Sequence, residues 1–204
     1  MTLSVIPLLD FPLINPGDDL AVLIHESLKE NELRLQDNDI LVLAQKIVSK
    51  AENRFVNLTT VTPSDSALFY AQQTGKDPRL LELILTESNQ VLMTRENLII
   101  VEHRLGFVCA NACIDHSNVN GPWGDPADWF LLLPENPDHS AAGIRDYLEE
   151  LLQVEIGILI IDSHGRAWRL GTIGTTIGLS GLPGLMDLRG KPDLYNYRLR
   201  VTKV

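Results

Sequence analysis

The residues best equipped for chemistry are two aspartates at the edges of apolar segments. Asp162 and Ser163 follow the run Ile156 to Ile161 in the stretch IIDSHGR. A carboxylate beside a hydroxyl at the carboxyl end of a strand offers hard oxygen to Mg2+ or Mn2+. The competing reading is a plain turn through Ser163 and Gly165. Asp115 and Asn118 close the stretch GFVCANACIDHSNV, where a small-residue apolar segment emerges into polar residues, as at the exit from a strand. Two such carboxylates, if brought together, repel each other unless a divalent cation lies between them, the usual reason for such a pair in a phosphate site. The sequence leaves open whether they meet or are two unrelated loop aspartates. Lys46 and Lys50 flank Ile47-Val48-Ser49, and at helical spacing both ammonium groups project from one face. That arrangement suits a phosphate, and it equally suits a solvated surface.

Other chemistries fit poorly. There is no GxxxxGK[ST], which excludes a P-loop as the nucleotide site, and no GxGxxG dinucleotide fingerprint or GxSxG elbow with a partnered His. Cys109, Cys113 and His116, with His103 upstream, are zinc-ligand types, but structural zinc takes a second distant pair of ligands and the chain has no other cysteine. Buried, small, apolar cysteines are the simpler reading.

These residues need elements to hold them. Leu20, Leu23, Ile24 and Leu28 recur at helical spacing behind Gly17 and acidic residues, predicting a helix from Asp18 to Lys29. The turn Asp37-Asn38-Asp39 leads into Ile40 to Ala44, a candidate buried strand. Thr62 as N-cap and Pro63 in the first turn predict a helix running to about Gly75, and Asp77-Pro78 opens another. Leu98 to Val101 and Trp129 to Leu133 are strand candidates. Ser140 is the candidate cap of a helix carrying Ile144, Leu148, Leu151 and Leu152. Ile156 to Ile161 is the strongest buried strand. Seven glycines between Gly165 and Gly190 predict loops or bulged strands, and Tyr197 to Val204 alternates as a final strand would. Asn, Gly and Pro cluster from Asp115 to Gly124, as at a domain boundary or in a long loop. Helices and strands mix without strict alternation, which gives an α+β or mixed α/β class.

Composition sets the outer bounds. The 204 residues are 45% hydrophobic and 22% charged, enough apolar surface to fold. No apolar run exceeds six residues, whereas a membrane helix needs about 20. The amino-terminal stretch lacks a basic leader and is interrupted by Pro7, Asp10 and Pro12, unlike a signal peptide. With only two cysteines, a cytoplasmic location is the expectation. A formal charge of -10 argues against a nucleic-acid partner. An anionic ligand therefore needs local lysines or bound cations.

Several separated segments together resemble one family. PLINPGDDL (Pro12 to Leu20), KIVSKAE (Lys46 to Glu52), KDPRLLELILTES, GFVCANACIDHSNV, LLPENPD, DSHGRAWRLGTIGTTIG (Asp162 to Gly178) and the closing DLRGKPDLYNYRLRVTKV occur in that order. In this the chain resembles the coenzyme F420-0:L-glutamate ligases, the γ-glutamyl ligases of F420 biosynthesis, over nearly its whole length. The resemblance implies a single α+β domain over residues 1–204 and a homodimer. It implies a GTP-dependent ligase that adds L-glutamate to the terminal carboxylate of F420-0 or a shorter poly-glutamyl form. It also implies Mg2+ or Mn2+, with K+ as helper. Carried over by position, it makes Asp115, Asp162 and Ser163 metal ligands, and Asp115, Asp162, Lys46 and Lys50 the catalytic set. Guanine-nucleotide contacts fall on Pro12, Leu13, Ile14, Asn15, Gln45, Lys46, Lys50 and Asn118.

The chain departs from the family pattern at Asp10-Phe11-Pro12 in place of Gly-Leu-Pro, at Ser163-His164 in place of Thr-Phe, and at Cys113 in place of Gly. Family members continue past the final strand with a helix and loop that complete the nucleotide site, so a chain ending at Val204 is expected to bind GTP more weakly. A non-catalytic relative that binds nucleotide or F420 is the alternative, and the same chemistry on another carboxylate acceptor is a third.

Overall fold

In the computed structural model, which describes residues 2–165, 168 and 170–204, helices and strands mix as the α+β reading expects. In chain order the elements are α1 (Leu20–Glu30), β1 (Ile40–Ala44), α2 (Gln45–Ala51), β2 (Phe55–Asn57), α3 (Asp65–Thr74), α4 (Pro78–Thr86), β3 (Ser88–Arg95), β4 (Leu98–His103), β5 (Val108–Ala110), β6 (Trp129–Leu131), α5 (Pro137–Leu152), β7 (Gly157–Gly165) and β8 (Thr172–Ser180). Arg166, Ala167 and Arg169 of the DSHGRAWRLGTIGTTIG motif lie outside the described residues.

Three small sheets result. β7 is the centre of the first, parallel to β1 and antiparallel to β8. β2 pairs with β6, and β3, β4 and β5 form an antiparallel meander. One core joins α1, α5 and the inner face of the first sheet through Ile24, Leu28, Leu43, Leu148, Ile158 and Ile160. A second packs Ala67, Leu81 and Ile84 of α3 and α4 on Ile99 and Val101 of β4. Each fully buried Leu or Ile contributes about 1.5–3 kcal/mol, so these clusters hold the sheet ends where the aspartates sit.

Several local expectations change. α3 is capped by Ser64, whose hydroxyl accepts from the Ala67 N–H, two residues after the expected Thr62. α5 begins at Asn136-Pro137 and not at Ser140: Asn136 caps it, Pro137 occupies the first turn where no N–H is needed, and the Ser140 hydroxyl instead reaches Glu52. β1 is an edge strand, so Ile40 and Val42 stay about half exposed and only Leu43 is buried. β7 continues to Gly165, so Asp162 and Ser163 lie within the strand and not at its end. The glycine-rich stretch does yield a long strand, β8, whose pairing with β7 shifts register between Ile160 and Ile161. Tyr197 to Val204 forms no strand, only isolated bridges such as Asp187 to Lys203 and Pro192 to Arg198. Its alternating residues have no neighbouring strand to pair with among the described residues. Residues 116–124 form a loop anchored by the buried Val119. Among the described residues no helix is long and apolar enough to cross a membrane.

Candidate active site

Strand β7 outruns its neighbour. Its last partner on β1 is the Ile161–Ala44 pair, beyond which Asp162 to Gly165 pair only with β8. Side chains alternate across a strand, so the face that buries Ile158 and Ile160 continues as Asp162 and His164. The core face thereby turns into a polar site once β1 has ended. Ser163 belongs to the opposite, exposed face, so its hydroxyl is not brought to Asp162, although its N–H does bond to that carboxylate.

Asp115 arrives from another direction. After β5 the chain makes a tight turn in which Asn111, Ala112 and Cys113 all have φ between 51° and 53°. Left-handed Ala and Cys are strained, and the fully buried Ala112 shows that packing holds the turn. Asp115 then forms an antiparallel bridge to Leu131, with N–H to O=C bonds of 2.9 Å in both directions, which fixes its backbone to β6.

Helix α2 completes the group. The Gln45 amide, 3% exposed, donates to Asp115 Oδ2 at 2.6 Å and accepts from the Ser49 hydroxyl at 2.8 Å. Lys46 Nζ lies 3.3 Å from the same Asp115 oxygen and donates to the Ser117 carbonyl at 2.8 Å. Gln45 is therefore an orienting residue for Asp115, with its amide spent inside the protein, a role its expected place among nucleotide contacts did not suggest. The Lys50 side chain, one turn along α2, has no ion pair or hydrogen bond among the described residues.

The charge of Asp162 reaches the Asp115 carboxyl. Burial pushes the Asp115 carboxyl up; Lys46 opposes this, and the charge of Asp162 adds to the rise. Burial also works to raise Asp162, but bonds from His164 and the Ser163 N–H outweigh it, holding the group below the ordinary carboxylate range. Both carboxylates are part-buried, they come from segments 47 residues apart, and the charge of Asp162 reaches Asp115; oxygen donors of this kind suit a hard divalent cation. Asp115 and Asp162 are the residues that would hold it.

The remaining expected contacts lie around α2. The Gly17 N–H donates to the Ala51 carbonyl at 2.9 Å, laying Pro12 to Asn15 beside the end of that helix. Within the segment Ile14 is buried and Leu13 is exposed, while the Asn15 N–H is held by Asp18 at 2.7 Å. Asn118 is exposed with φ 58° in the loop that Lys46 ties down.

A residue the sequence did not single out also enters. His164 Nε2 lies 3.1 Å from Asp162 Oδ2 and 3.3 Å from Cys113 Sγ, and its ring packs on Phe107 at 5.2 Å. Cys109 is buried, as expected of a small apolar cysteine, and its hydrogen bond, followed by burial, pushes the Cys113 thiol up.

Comparison with known proteins identifies the family. The family model described as F420-0:Gamma-glutamyl ligase matches residues 9–204. A protein of Methanopyrus kandleri named coenzyme F420:L-glutamate ligase is 44% identical over 191 residues, covering 94% of this chain and 71% of the relative. The protein of the same name from Methanothermobacter thermautotrophicus is 42% identical over 204 residues, covering all of this chain and 79% of the relative. That from Archaeoglobus fulgidus is 38% identical over 202 residues, covering 99% and 76%. With the family model spanning nearly every residue and relatives at 42–44% identity covering nearly the whole chain, the chain belongs to the F420-0:γ-glutamyl ligase family of enzymes.

Proposed function

We propose that the protein joins L-glutamate through an amide bond to the terminal carboxylate of F420-0, or of a shorter poly-glutamyl form, in a reaction driven by GTP. The observation that carries this reading is a part-buried Asp115, ion-paired to Lys46 at 3.3 Å and within reach of the charge of Asp162. Relatives that cover most of the chain are named for the ligation of F420 and L-glutamate.

The chemistry accounts for the residue types. A carboxylate does not condense with an amine unaided. In the proposed sequence an acceptor carboxylate oxygen attacks the γ-phosphorus of GTP, the bond to the bridging oxygen breaks, and GDP leaves. The glutamate amine then attacks the carbonyl carbon of the acyl phosphate, loses a proton, and inorganic phosphate departs. No protein nucleophile is needed, so the protein's work is positioning and charge neutralisation. A bound Mg2+ or Mn2+ supplies Lewis acidity toward the phosphate oxygens. Gln45 and Lys46 hold Asp115 in place, and we assign the uncommitted ammonium of Lys50 to the nucleotide phosphates. The Pro12 to Asn15 segment and Asn118 complete the nucleotide contacts in this reading, K+ acts as a helper ion, and the enzyme works as a homodimer. Exposed apolar side chains at Val5, Ile6, Ile40 and Val42 support the dimer, and light scattering tests it.

Trapping tests the reaction course. With GTP, F420-0 and hydroxylamine in place of glutamate, the expected product is the F420-0 hydroxamate with stoichiometric GDP. Asp115→Asn and Asp162→Asn are each expected to lower that rate at least about a hundredfold while the circular dichroism stays native. Near-normal rates in either folded variant would contradict the assignment.

A further inference from the structure

We propose that Cys113, Asp162 and His164 form a second cation site, built for a thiophilic divalent metal such as Zn2+ and distinct in ligand chemistry from the carboxylate pair. The three donor atoms all lie within 4.8 Å of one another. The His164 and Asp162 side chains are 11% and 13% exposed, so the site is nearly closed.

The geometry separates this from a catalytic triad. In a nucleophile–imidazole–carboxylate relay the two partners use different ring nitrogens. Here the thiol and the carboxylate both converge on Nε2 of His164, at 3.3 Å and 3.1 Å. One nitrogen carries either a proton or a lone pair, so it cannot donate to Asp162 and accept from Cys113 at once; without a cation the thiol hydrogen-bonds to Cys109 and Asp162 instead. A cation at the centre satisfies all three groups together. For tetrahedral Zn2+, usual bond lengths place sulfur and nitrogen about 3.6 Å apart and nitrogen and oxygen about 3.3 Å apart. The observed separations need to open by only a few tenths of an ångström.

Ligand type sets the selectivity. One thiolate, one imidazole and one carboxylate bring two negative charges to a doubly positive ion, and the resulting neutral cluster suits a buried position. Sulfur and nitrogen donors favour Zn2+ or Co2+ over Mg2+. Three protein ligands leave the fourth tetrahedral position for water or a substrate oxygen. Phe107 packs on the His164 ring and stacks on His103, which fixes the imidazole from behind. Asp162 belongs to both donor sets, and its two oxygens allow it to serve either or both.

The test uses the purified, chelator-treated protein and Co2+ alone, without nucleotide or F420, so its outcome is independent of the ligase reading. One equivalent of Co2+ is expected to give a sulfur-to-cobalt charge-transfer band and the strong visible bands of tetrahedral cobalt. Zn2+ should displace it and excess Mg2+ should not. Cys113→Ser should abolish the charge-transfer band, and His164→Phe should weaken Zn2+ binding at least about tenfold. The circular dichroism of Cys113→Ser should match that of the unsubstituted protein, which guards against loss through misfolding. A weak octahedral spectrum with no sulfur band, or a band that survives Cys113→Ser, would overturn the proposal.

Discussion

His103 offers a quantitative check on the packing beside the site. It is fully buried in β4, and its Nδ1 accepts from the Leu105 N–H at 3.0 Å, so the proton sits on Nε2. That nitrogen has no hydrogen-bond partner among the described residues, the Glu87 carboxylate oxygen being 3.8 Å away. Glu87 is already shared by Arg54, at 3.1 Å to each oxygen, and Arg104 at 2.9 Å, so it is poorly placed to stabilise a third cation. Burial, only partly countered by Glu87, pulls the imidazole from 6.5 down to about 4. At pH above 6.5 the group is neutral in both folded and unfolded chains and contributes nothing to the pH dependence. As the pH falls from 6.5 to about 4, the unfolded chain takes up a proton that the folded one refuses, and stability drops. At about 1.4 kcal/mol per pH unit the loss approaches about 3 kcal/mol. Urea unfolding across this range, compared with His103→Asn, isolates it, because Asn can still accept from Leu105 while having nothing to titrate. The wild-type protein should lose about 3 kcal/mol more than the variant between neutral pH and pH about 4. Parallel curves would refute the claim that the fold keeps His103 neutral.

Other outcomes follow from the same contacts. Lys46→Met removes the charge that opposes burial at Asp115, so the Asp115 carboxyl rises further and the acid limb of the rate–pH profile moves to higher pH; an unmoved limb in an active variant counts against that pairing. Gly178 of β8 faces Pro137, and an added Cβ would lie 2.5 Å from backbone there, so Gly178→Ala should cost about 1–3 kcal/mol by denaturant midpoint. Gly143, inside α5, has open space at the same position, so Gly143→Ala should instead stabilise by about 0.5–1 kcal/mol.

The legibility of these features in the sequence tracks how local their causes are. The Ile156 to Ile161 run signals a strand and the Asp77-Pro78 start a helix by their own residues, and both elements form. β3 went unread because SNQVLMTR has mixed polarity, most of its residues remaining exposed on a meander edge. Tyr197 to Val204 had the right alternation without a partner, and alternation alone does not make a ladder. The Asn136-Pro137 cap is a local signal that competes with Ser140, and the first of the two starts the helix.

At the site, residue types marked Asp115, Asp162 and Lys46, but only the fold places them: β7 must overrun β1 to free Asp162, and the strained turn at Asn111 to Cys113 must deliver Asp115 to β6, within reach of Lys46. The orienting role of Gln45 depends on its burial, which a start-of-helix glutamine does not announce. The approach of Cys113 to His164 spans 51 residues and two elements. Ligand spacing along the chain, which pointed to Cys109 and His116, carried no trace of it; His116 in fact stacks on Phe130 at 4.6 Å.

The most direct test of the central claim is mass spectrometry of the reaction of this protein with F420-0, L-glutamate, GTP and Mn2+, with Asp162→Asn as control. The account predicts a product heavier by one glutamyl residue or more, formed only with GTP and lost in the control. A folded protein that yields no glutamylated product, or a product formed equally by Asp162→Asn, would contradict it.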